Sequence, residues 1–210
     1  MNRVALVTGI TGRFGTEFCN TYGDQYTIFG VSRTGDCPPG CDFYMQSDIR
    51  FGFKEIVKKV LGECGKVDVL INNAAIYKIK NLDTLTPNEM LATLRTNVVA
   101  PYALTRQLYL DYWKKHKDDN VKFNRHVINM SSVSADEPFD GQIAYGPSKA
   151  ALDQLNFHLI KPLNECGVRC NVVKPTAFPR IVSTQQVVKE VVAMDQSDKN
   201  YQSLYITVPE

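Results

Sequence analysis

Short apolar runs alternate with longer segments of helical spacing, and this alternation restricts the fold more than any other feature of the chain. Six runs could form buried strands, at residues 4–7, 26–31, 67–71, 126–130, 168–173 and 204–208, and a shorter strand is predicted at 43–45. Helices are predicted at 13–22, 51–64, 87–116 with an interruption near Pro101, 144–166 and 184–195. Such alternation is typical of a parallel sheet covered by helices on both faces. We therefore predict a Rossmann-like, doubly wound α/β fold with three α/β/α layers, formed as a single domain by residues 1–210.

Composition and charge exclude several classes of protein. The 210 residues are 44% hydrophobic and 22% charged, which suits one globular domain with a substantial core. A formal net charge of +2 gives no general attraction to nucleic acid or membrane. The basic run at 114–117 is interpreted as a solvated helix end, and residues 118–120 as a surface turn. With neither a signal-peptide pattern nor an apolar stretch of about 20 residues, we expect a cytoplasmic protein without nucleic-acid or membrane partners.

Six cysteines include two C-x3-C pairs, which raises the question of a metal site. The pairs are Cys37 with Cys41 and Cys166 with Cys170. The first pair brackets a Pro-Pro-Gly turn, whereas Cys170 lies in an apolar strand pattern in which a thiol usually packs as a small hydrophobic group. We favour reduced thiols and no bound metal.

The first predicted strand leads directly into a glycine-rich turn, Thr-Gly-Ile-Thr-Gly-Arg-Phe-Gly at residues 8–15. Gly9 permits the tight turn, Gly12 lets the backbone approach a pyrophosphate, and Gly15 lets the following helix pack closely on the strand. The alternative is a glycine-rich turn without a ligand. Its position after a buried N-terminal strand favours dinucleotide binding.

Arg33 follows the second predicted strand, where enzymes that prefer NAD often carry a carboxylate for the ribose 2′-hydroxyl. A guanidinium can instead bind the 2′-phosphate of NADP, and Arg13 could add positive charge. Asp36 lies three residues further on and could favour NAD. We favour NADP(H) over NAD(H).

Tyr145 and Lys149 lie four residues apart in the segment Tyr-Gly-Pro-Ser-Lys, so they share one face of a helix. Pro147 is tolerated in a first helical turn and would break an interior one, which places Tyr145 at the start of the helix. A free tyrosine has a pKa of about 10. We expect the neighbouring ammonium to lower the pKa of Tyr145 and to make it an acid catalyst.

Other polar residues accompany this pair in a recognisable order. Ser131 and Ser132 follow the predicted strand at 126–130, Asn97 lies in the long helical region, and Asn-Asn-Ala-Ala follows the strand at 67–71. With the glycine-rich turn, these motifs resemble the short-chain dehydrogenase/reductase family over nearly the whole chain.

The resemblance implies a catalytic tetrad of Asn97, Ser132, Tyr145 and Lys149. Tyr145 would exchange a proton with the substrate oxygen, Ser132 would orient that oxygen, and Lys149 would bind the nicotinamide ribose. Asn97 would help to hold a water that links Lys149 to solvent. The cofactor-binding residues that it implies, together with the residues discussed above, are Gly9, Thr11, Gly12, Arg13, Phe14, Gly15, Arg33, Asp48, Ile49, Asn73, Ala74, Ala75, Tyr145, Lys149, Pro175 and Thr176.

The predicted function is hydride transfer between NADP(H) and a small-molecule carbonyl or alcohol substrate. The alternative is a weakly active or inactive NAD(P)-binding sensor. The resemblance also implies pairing through the helices at 97–116 and 145–166, so we expect a homodimer or homotetramer, although simple intramolecular packing of these helices remains the alternative.

Two departures from the family pattern qualify these expectations. The turn has TGxxGxxG spacing, whereas compact members usually show TGxxxGxG, and Thr176 stands where a glycine is common. The segment between the sixth strand and the helix at Thr184 is too short for the usual substrate lid. We expect an open cleft that suits a bulky or planar substrate or one carried by another protein, or else low activity toward small carbonyls.

Overall fold

Seven parallel strands form one sheet in the computed structural model, which describes residues 2–177, 180–200 and 203–207. The strands are β1 (Arg3–Thr8), β2 (Tyr26–Ser32), β3 (Phe43–Gln46), β4 (Val69–Asn72), β5 (His126–Met130), β6 (Arg169–Pro175) and β7 (Ser203–Ile206). Their order across the sheet is β3-β2-β1-β4-β5-β6-β7. All seven predicted strands are confirmed to within a few residues, except that Val208 lies outside the described residues.

Helices cover both faces of this sheet. They are α1 (Arg13–Tyr22), α2 (Phe53–Cys64), α3 (Pro87–Leu94), α4 (Ala100–Asp111), α5 (Lys117–Lys122), α6 (Tyr145–Glu165) and α7 (Thr184–Gln196). On one face Phe14 and Phe18 of α1 share a buried apolar cluster with Val191 of α7. On the other face Ile56 of α2 and Leu104 of α4 belong to a second cluster. The predicted three-layer, doubly wound architecture is confirmed.

The long helical region at 87–116 is interrupted near Pro101, as predicted, although the interruption precedes the proline. The chain forms a π-helical turn at Arg95–Val99, before Pro101, which lies in the first turn of α4 where its ring is tolerated. A 3-10 turn at Trp113–Lys115 then follows α4. The interruption places Asn97 on a locally widened turn, a geometry that often occurs at functional sites.

The predicted surface turn at 118–120 is wrong, because these residues belong to α5. Asn120 is fully buried, and its Nδ2 donates to the carbonyls of Trp113 and Cys166 at 2.7 Å each. These hydrogen bonds hold the short helix against the domain. The run at 114–117, predicted as a helix end, forms the 3-10 turn and the start of α5.

The strand order reverses beside β1, which lies between β2 and β4. Open α/β sheets bind ligands in the crevice outside the carboxyl ends of the strands at such a reversal. The glycine-rich turn after β1 and the Asn-Asn-Ala-Ala segment after β4 both lie at this edge. The topology therefore brings the predicted binding motifs together.

Candidate active site

The glycine-rich turn has the close backbone approaches that the sequence predicted. Gly9 has a φ of 71°, and a Cβ there would lie 3.0 Å from the Ala74 Cα. A Cβ on Gly15 would lie 2.3 Å from the Ile10 carbonyl oxygen, so α1 packs directly on the turn. Gly12 is the N-cap of α1, without a side-chain cap and with no acidic residue in the first turn. The first N–H groups of α1 are thus available to an anion.

Two hydroxyl side chains that the sequence analysis missed hold this turn in place. The Thr8 Oγ1 accepts hydrogen bonds from the backbone N–H groups of Asn73 and Ala74, both at 3.0 Å. The Ser32 Oγ accepts from the Thr11 N–H at 3.1 Å. Both residues are buried at the carboxyl ends of apolar strands, and a polar residue at that position was the available signal.

A cavity of about 400 Å³ lies at the carboxyl edge of β1, β2 and β4. Its predicted lining residues are Gly9, Thr11, Gly12, Arg13, Phe14, Arg33, Asp48, Ile49, Asn73, Ala74 and Ala75. It is also lined by Val31, Ser32, Thr34, Ser47 and Thr96, which were not predicted. Among the described residues, the other predicted cofactor residues do not line it; they are Gly15, Tyr145, Lys149, Pro175 and Thr176.

The charge of this cavity is mainly positive. Arg13 and Arg33 are both exposed at its wall. The one carboxylate among the described lining residues belongs to Asp48, which forms an ion pair with Arg50 at 2.5 Å. Hydrogen bonds from Arg50 hold the pKa of Asp48 below its ordinary value. Asp36, which could have favoured NAD, is not among the lining residues described.

Tyr145 begins α6, as the sequence predicted, and its ring is half-buried. The Ser132 side chain lies near enough to the Tyr145 hydroxyl to lower its pKa, which brings these two predicted residues together. The edge of the Tyr77 ring meets the Tyr145 ring at a centroid distance of 4.8 Å. The expected lowering of the pKa is wrong for this structure, because burial raises the pKa of Tyr145 to about 12 and outweighs the opposite effect of Ser132.

Lys149 lies one helical turn further along α6 and is only 3% exposed. Its Nζ donates to the Met130 carbonyl at 2.5 Å and lies 5.5 Å from the centroid of the Tyr145 ring. Burial lowers the pKa of Lys149 to about 8, while the Asp153 carboxylate opposes this change. At neutral pH the site therefore holds a protonated phenol beside a mostly cationic amine.

Asn97 ties the segment after β4 to the start of α6. Its Oδ1 accepts from the Ile76 N–H at 2.8 Å, and its Nδ2 donates to the Ile76 carbonyl at 3.0 Å and to the Ser148 Oγ at 2.9 Å. Ser148 in turn donates to the Tyr145 carbonyl at 2.7 Å. Sequence analysis missed Ser148 and Tyr77, although Ser148 lies inside the motif at 145–149.

The last two predicted cofactor residues lie where β6 ends against β7. Pro175 is the final residue of β6, and the Thr176 N–H donates to the Ile206 carbonyl at 3.0 Å. Only eight positions, 176–183, separate β6 from α7, as the sequence predicted.

Two further features concern metals and membranes. All six cysteines are free, and no cluster of histidine, cysteine or acidic side chains in the described ranges could hold a metal ion. None of the helices described here has the length and apolar character needed to cross a membrane.

Comparison with a family model and with known proteins agrees with the resemblance described in the sequence analysis. Residues 3–190 match the family model described as short chain dehydrogenase. An acetoacetyl-CoA reductase of Acinetobacter sp. (strain RA3849) is 26% identical over 209 residues, covering 91% of this chain and 82% of that protein.

Two solved structures share the fold. A 3-ketoacyl-(acyl-carrier-protein) reductase of Brucella melitensis complexed with NADH has a TM-score of 0.84 at 20% identity, covering 97% of this chain and 96% of its own. A structure of ElxO with NADP bound has a TM-score of 0.82 at 19% identity, covering 98% of this chain and 97% of its own.

Proposed function

This chain belongs to the short-chain dehydrogenase family, and on that premise we propose that it is an NADP(H)-dependent oxidoreductase that reduces a carbonyl group or oxidises the corresponding alcohol. One observation carries the proposal. Tyr145 begins α6 beside Ser132, and the buried cation of Lys149 lies one helical turn away, 5.5 Å from the centroid of the Tyr145 ring. A sensor that only binds a nucleotide needs no such buried acid, so the sensor alternative is not favoured.

The lining of the cavity beside β1 suits the adenosine and pyrophosphate part of a dinucleotide. A Cβ at Gly12 would lie 3.2 Å from the Gly9 carbonyl oxygen, on the wall where the N–H groups of α1 begin. These N–H groups and Arg13 would hold the pyrophosphate, while Asp48 and Ile49 would lie beside the adenine. Asn73, Ala74 and Ala75 would line the path toward the nicotinamide.

The charge of the cavity supports NADP(H) over NAD(H). Arg33 can bind a 2′-phosphate, whereas the nearby Asp48 carboxylate is already paired with Arg50. We expect Arg33→Gln to lower kcat/KM with NADPH by about tenfold and to change kcat/KM with NADH little. Steady-state kinetics that gave the wild-type protein a higher kcat/KM with NADH would contradict this preference.

The mechanism we propose uses residues whose protonation suits carbonyl reduction. The nicotinamide supplies the hydride when bound. Tyr145, protonated at neutral pH, donates its proton to the substrate oxygen, and Ser132 orients that oxygen where negative charge develops. Lys149 stabilises the phenolate that forms and would bind the ribose. Asn97 keeps the first turn of α6 aligned through Ser148.

Oxidation of NADPH measured across a panel of ketones, acyl thioesters, quinones and pterins tests this function. We expect turnover with at least one class, and loss of that turnover in Tyr145→Phe. A complete absence of turnover, together with retained cofactor binding, would contradict the enzyme proposal and favour the sensor.

Assembly and location also belong to this proposal. Tyr102 of α4 and Phe157 of α6 are exposed at 41% and 68%, which supports pairing through these helices as a homodimer or homotetramer. Light scattering that gave a monomeric mass at micromolar concentration would contradict it. The six free cysteines support a reducing, cytoplasmic location.

A further inference from the structure

Two loops beside Tyr145 expose large apolar side chains to solvent. The first comprises residues 77–84 and the second residues 136–143, and together we call them the two-loop rim. Ile79 and Leu82 are 63% and 83% exposed on the first loop, and Phe139 and Ile143 are 45% and 37% exposed on the second. Exposed apolar side chains on neighbouring loops often mark a binding surface.

The two loops form one continuous surface. Lys80 and Gln142 form a β-bridge, and the Lys80 N–H donates to the Gly141 carbonyl at 2.7 Å. A Cβ on Gly141 would lie 2.4 Å from the Ile79 Cγ2, so the Ile79 side chain packs directly on the second loop. Backbone contacts therefore hold the two loops together and keep the Ile79 side chain against the second loop.

The rim is also continuous with the candidate acid. The Tyr77 ring on the first loop contacts the Tyr145 ring, and the Gln142 Nε2 donates to the Tyr77 hydroxyl at 3.4 Å. Ile143 lies two residues before Tyr145. A substrate whose oxygen reaches Tyr145 would thus place its remaining body against the rim.

The charges on the rim disfavour an anionic body. Lys78 and Lys80, the two cations of these loops, both form ion pairs with Glu89, at 3.7 Å and 2.9 Å. Glu137 and Asp140 are exposed on the second loop. Like charges placed together repel, so phosphate groups would be unfavourable here.

We propose that the two-loop rim binds the apolar body of an uncharged carbonyl substrate and discriminates against polyanionic acyl carriers such as coenzyme A thioesters. This inference rests on the proposed carbonyl chemistry at Tyr145. Only eight positions separate β6 from α7, so little chain is available there to cover a substrate that extends beyond the catalytic residues.

Two thioesters with the same reacting group test the inference directly. Acetoacetyl-CoA carries phosphates, a nucleotide and an uncharged pantoyl-β-alanine linker that the acetoacetyl thioester of N-acetylcysteamine lacks, so the salt dependence of the difference identifies the part due to charge. We expect kcat/KM with NADPH to be about tenfold higher for the uncharged thioester, and expect added salt to narrow the difference by screening. A 3-oxooctanoyl thioester of N-acetylcysteamine should exceed the acetoacetyl one by about tenfold, because its longer chain contacts the rim.

A matched pair of variants tests whether the rim itself is responsible. Ile79→Ala should lower kcat/KM for the 3-oxooctanoyl thioester about fivefold more than it lowers kcat/KM for the acetoacetyl thioester. Val121→Ala on α5 is the control, because Val121 is 64% exposed and lies outside the rim. Circular dichroism melting curves of both variants establish that the fold is retained.

The outcomes separate this inference from the enzyme proposal. A higher kcat/KM for acetoacetyl-CoA would overturn the inference but leave the enzyme proposal intact. If Arg180→Gln then removed that preference, the exposed arginine between β6 and α7 would be an anion site and the rim's charge would not decide specificity. Equal loss in Ile79→Ala and Val121→Ala would also overturn the inference. Failure of every carbonyl compound would instead contradict the enzyme proposal.

Discussion

Alanine substitutions at Gly12 and Gly15 should separate cofactor binding from folding, although the two glycines are only three residues apart. Gly12 has φ −80° and ψ 170°, a conformation that alanine adopts without strain. A Cβ there would meet only the Gly9 carbonyl oxygen, at 3.2 Å. A Cβ at Gly15 would instead lie 2.3 Å and 2.4 Å from the Ile10 carbonyl oxygen and Cα, which are backbone atoms that cannot rotate away.

These contacts determine how much each substitution should change the free energy of unfolding. Relief of the Gly15→Ala overlap requires the helix to move by about 1 Å, and overpacking of this kind costs about 3 kcal/mol. The higher helix propensity of alanine returns about 1 kcal/mol, so the free energy of unfolding should fall by about 2 kcal/mol. For a chain of this size that lowers Tm by about 4–8 °C. Gly12→Ala should change the free energy of unfolding by less than about 1 kcal/mol.

For cofactor affinity the order should be reversed, with the larger change in Gly12→Ala and the smaller change in Gly15→Ala. The added methyl at Gly12 occupies the wall that the pyrophosphate would approach, so Kd for NADPH should rise at least about tenfold, or about 1.4 kcal/mol. Gly15 does not line the cavity, and Gly15→Ala should keep Kd within about threefold at a temperature where it is folded. Thermal unfolding and fluorescence titration measure the two quantities. Unchanged NADPH affinity in Gly12→Ala would refute the binding assignment, and unchanged Tm in Gly15→Ala would refute the packing argument.

Two further predictions concern stability away from the cavity. Burial lowers the pKa of His126 to about 4, whereas a histidine in the unfolded chain has a pKa of about 6.5. Between these pH values the unfolded chain binds a proton that the folded chain does not. The free energy of unfolding should therefore fall by about 3 kcal/mol as pH falls from 6.5 to 4. His126→Asn should flatten that part of the urea-unfolding profile, and an unaltered slope would contradict the account. Lys174 contacts Asp136 and Asp153 at 2.7 Å each, so Lys174→Met should lower Tm by about 4–8 °C, or about 2 kcal/mol, with partial recovery in Lys174→Arg. A Tm within 1 °C of the wild type, roughly the effect of a neutral surface substitution, would show that this network contributes no stability.

The alternation of apolar runs and helical segments predicted the sheet because a buried parallel strand is apolar along its length, whichever strands lie beside it. The glycine-rich turn was equally readable, since Gly9 and Gly15 meet steric demands that come from local backbone geometry. The short helix α5 was missed because it depends on Asn120, whose partners Trp113 and Cys166 come together only in the folded chain. Without those partners, the polar sequence of α5 looks like that of a surface turn.

The pKa values of the site residues also could not be predicted from the sequence. The spacing of Tyr145 and Lys149 predicted their shared helix face but not their burial, which raises one pKa and lowers the other. The Lys149 ammonium also donates to the Met130 carbonyl, a partner nineteen residues away. The contact between Tyr77 and Tyr145 likewise joins a loop to the start of α6, which only the tertiary structure brings together.

Turnover by Tyr145→Phe, measured beside Tyr77→Phe, tests the central claim most directly. The two rings are in contact, so the control removes a neighbouring hydroxyl without removing the proposed acid. With a carbonyl substrate that the wild-type protein reduces, Tyr145→Phe should bind NADPH with a Kd within about threefold of the wild type and lose about 10²–10⁴-fold in kcat, whereas Tyr77→Phe should keep kcat within about threefold. If Tyr145→Phe retained kcat within about tenfold, Tyr145 would not be the proton donor and the proposed mechanism would be wrong.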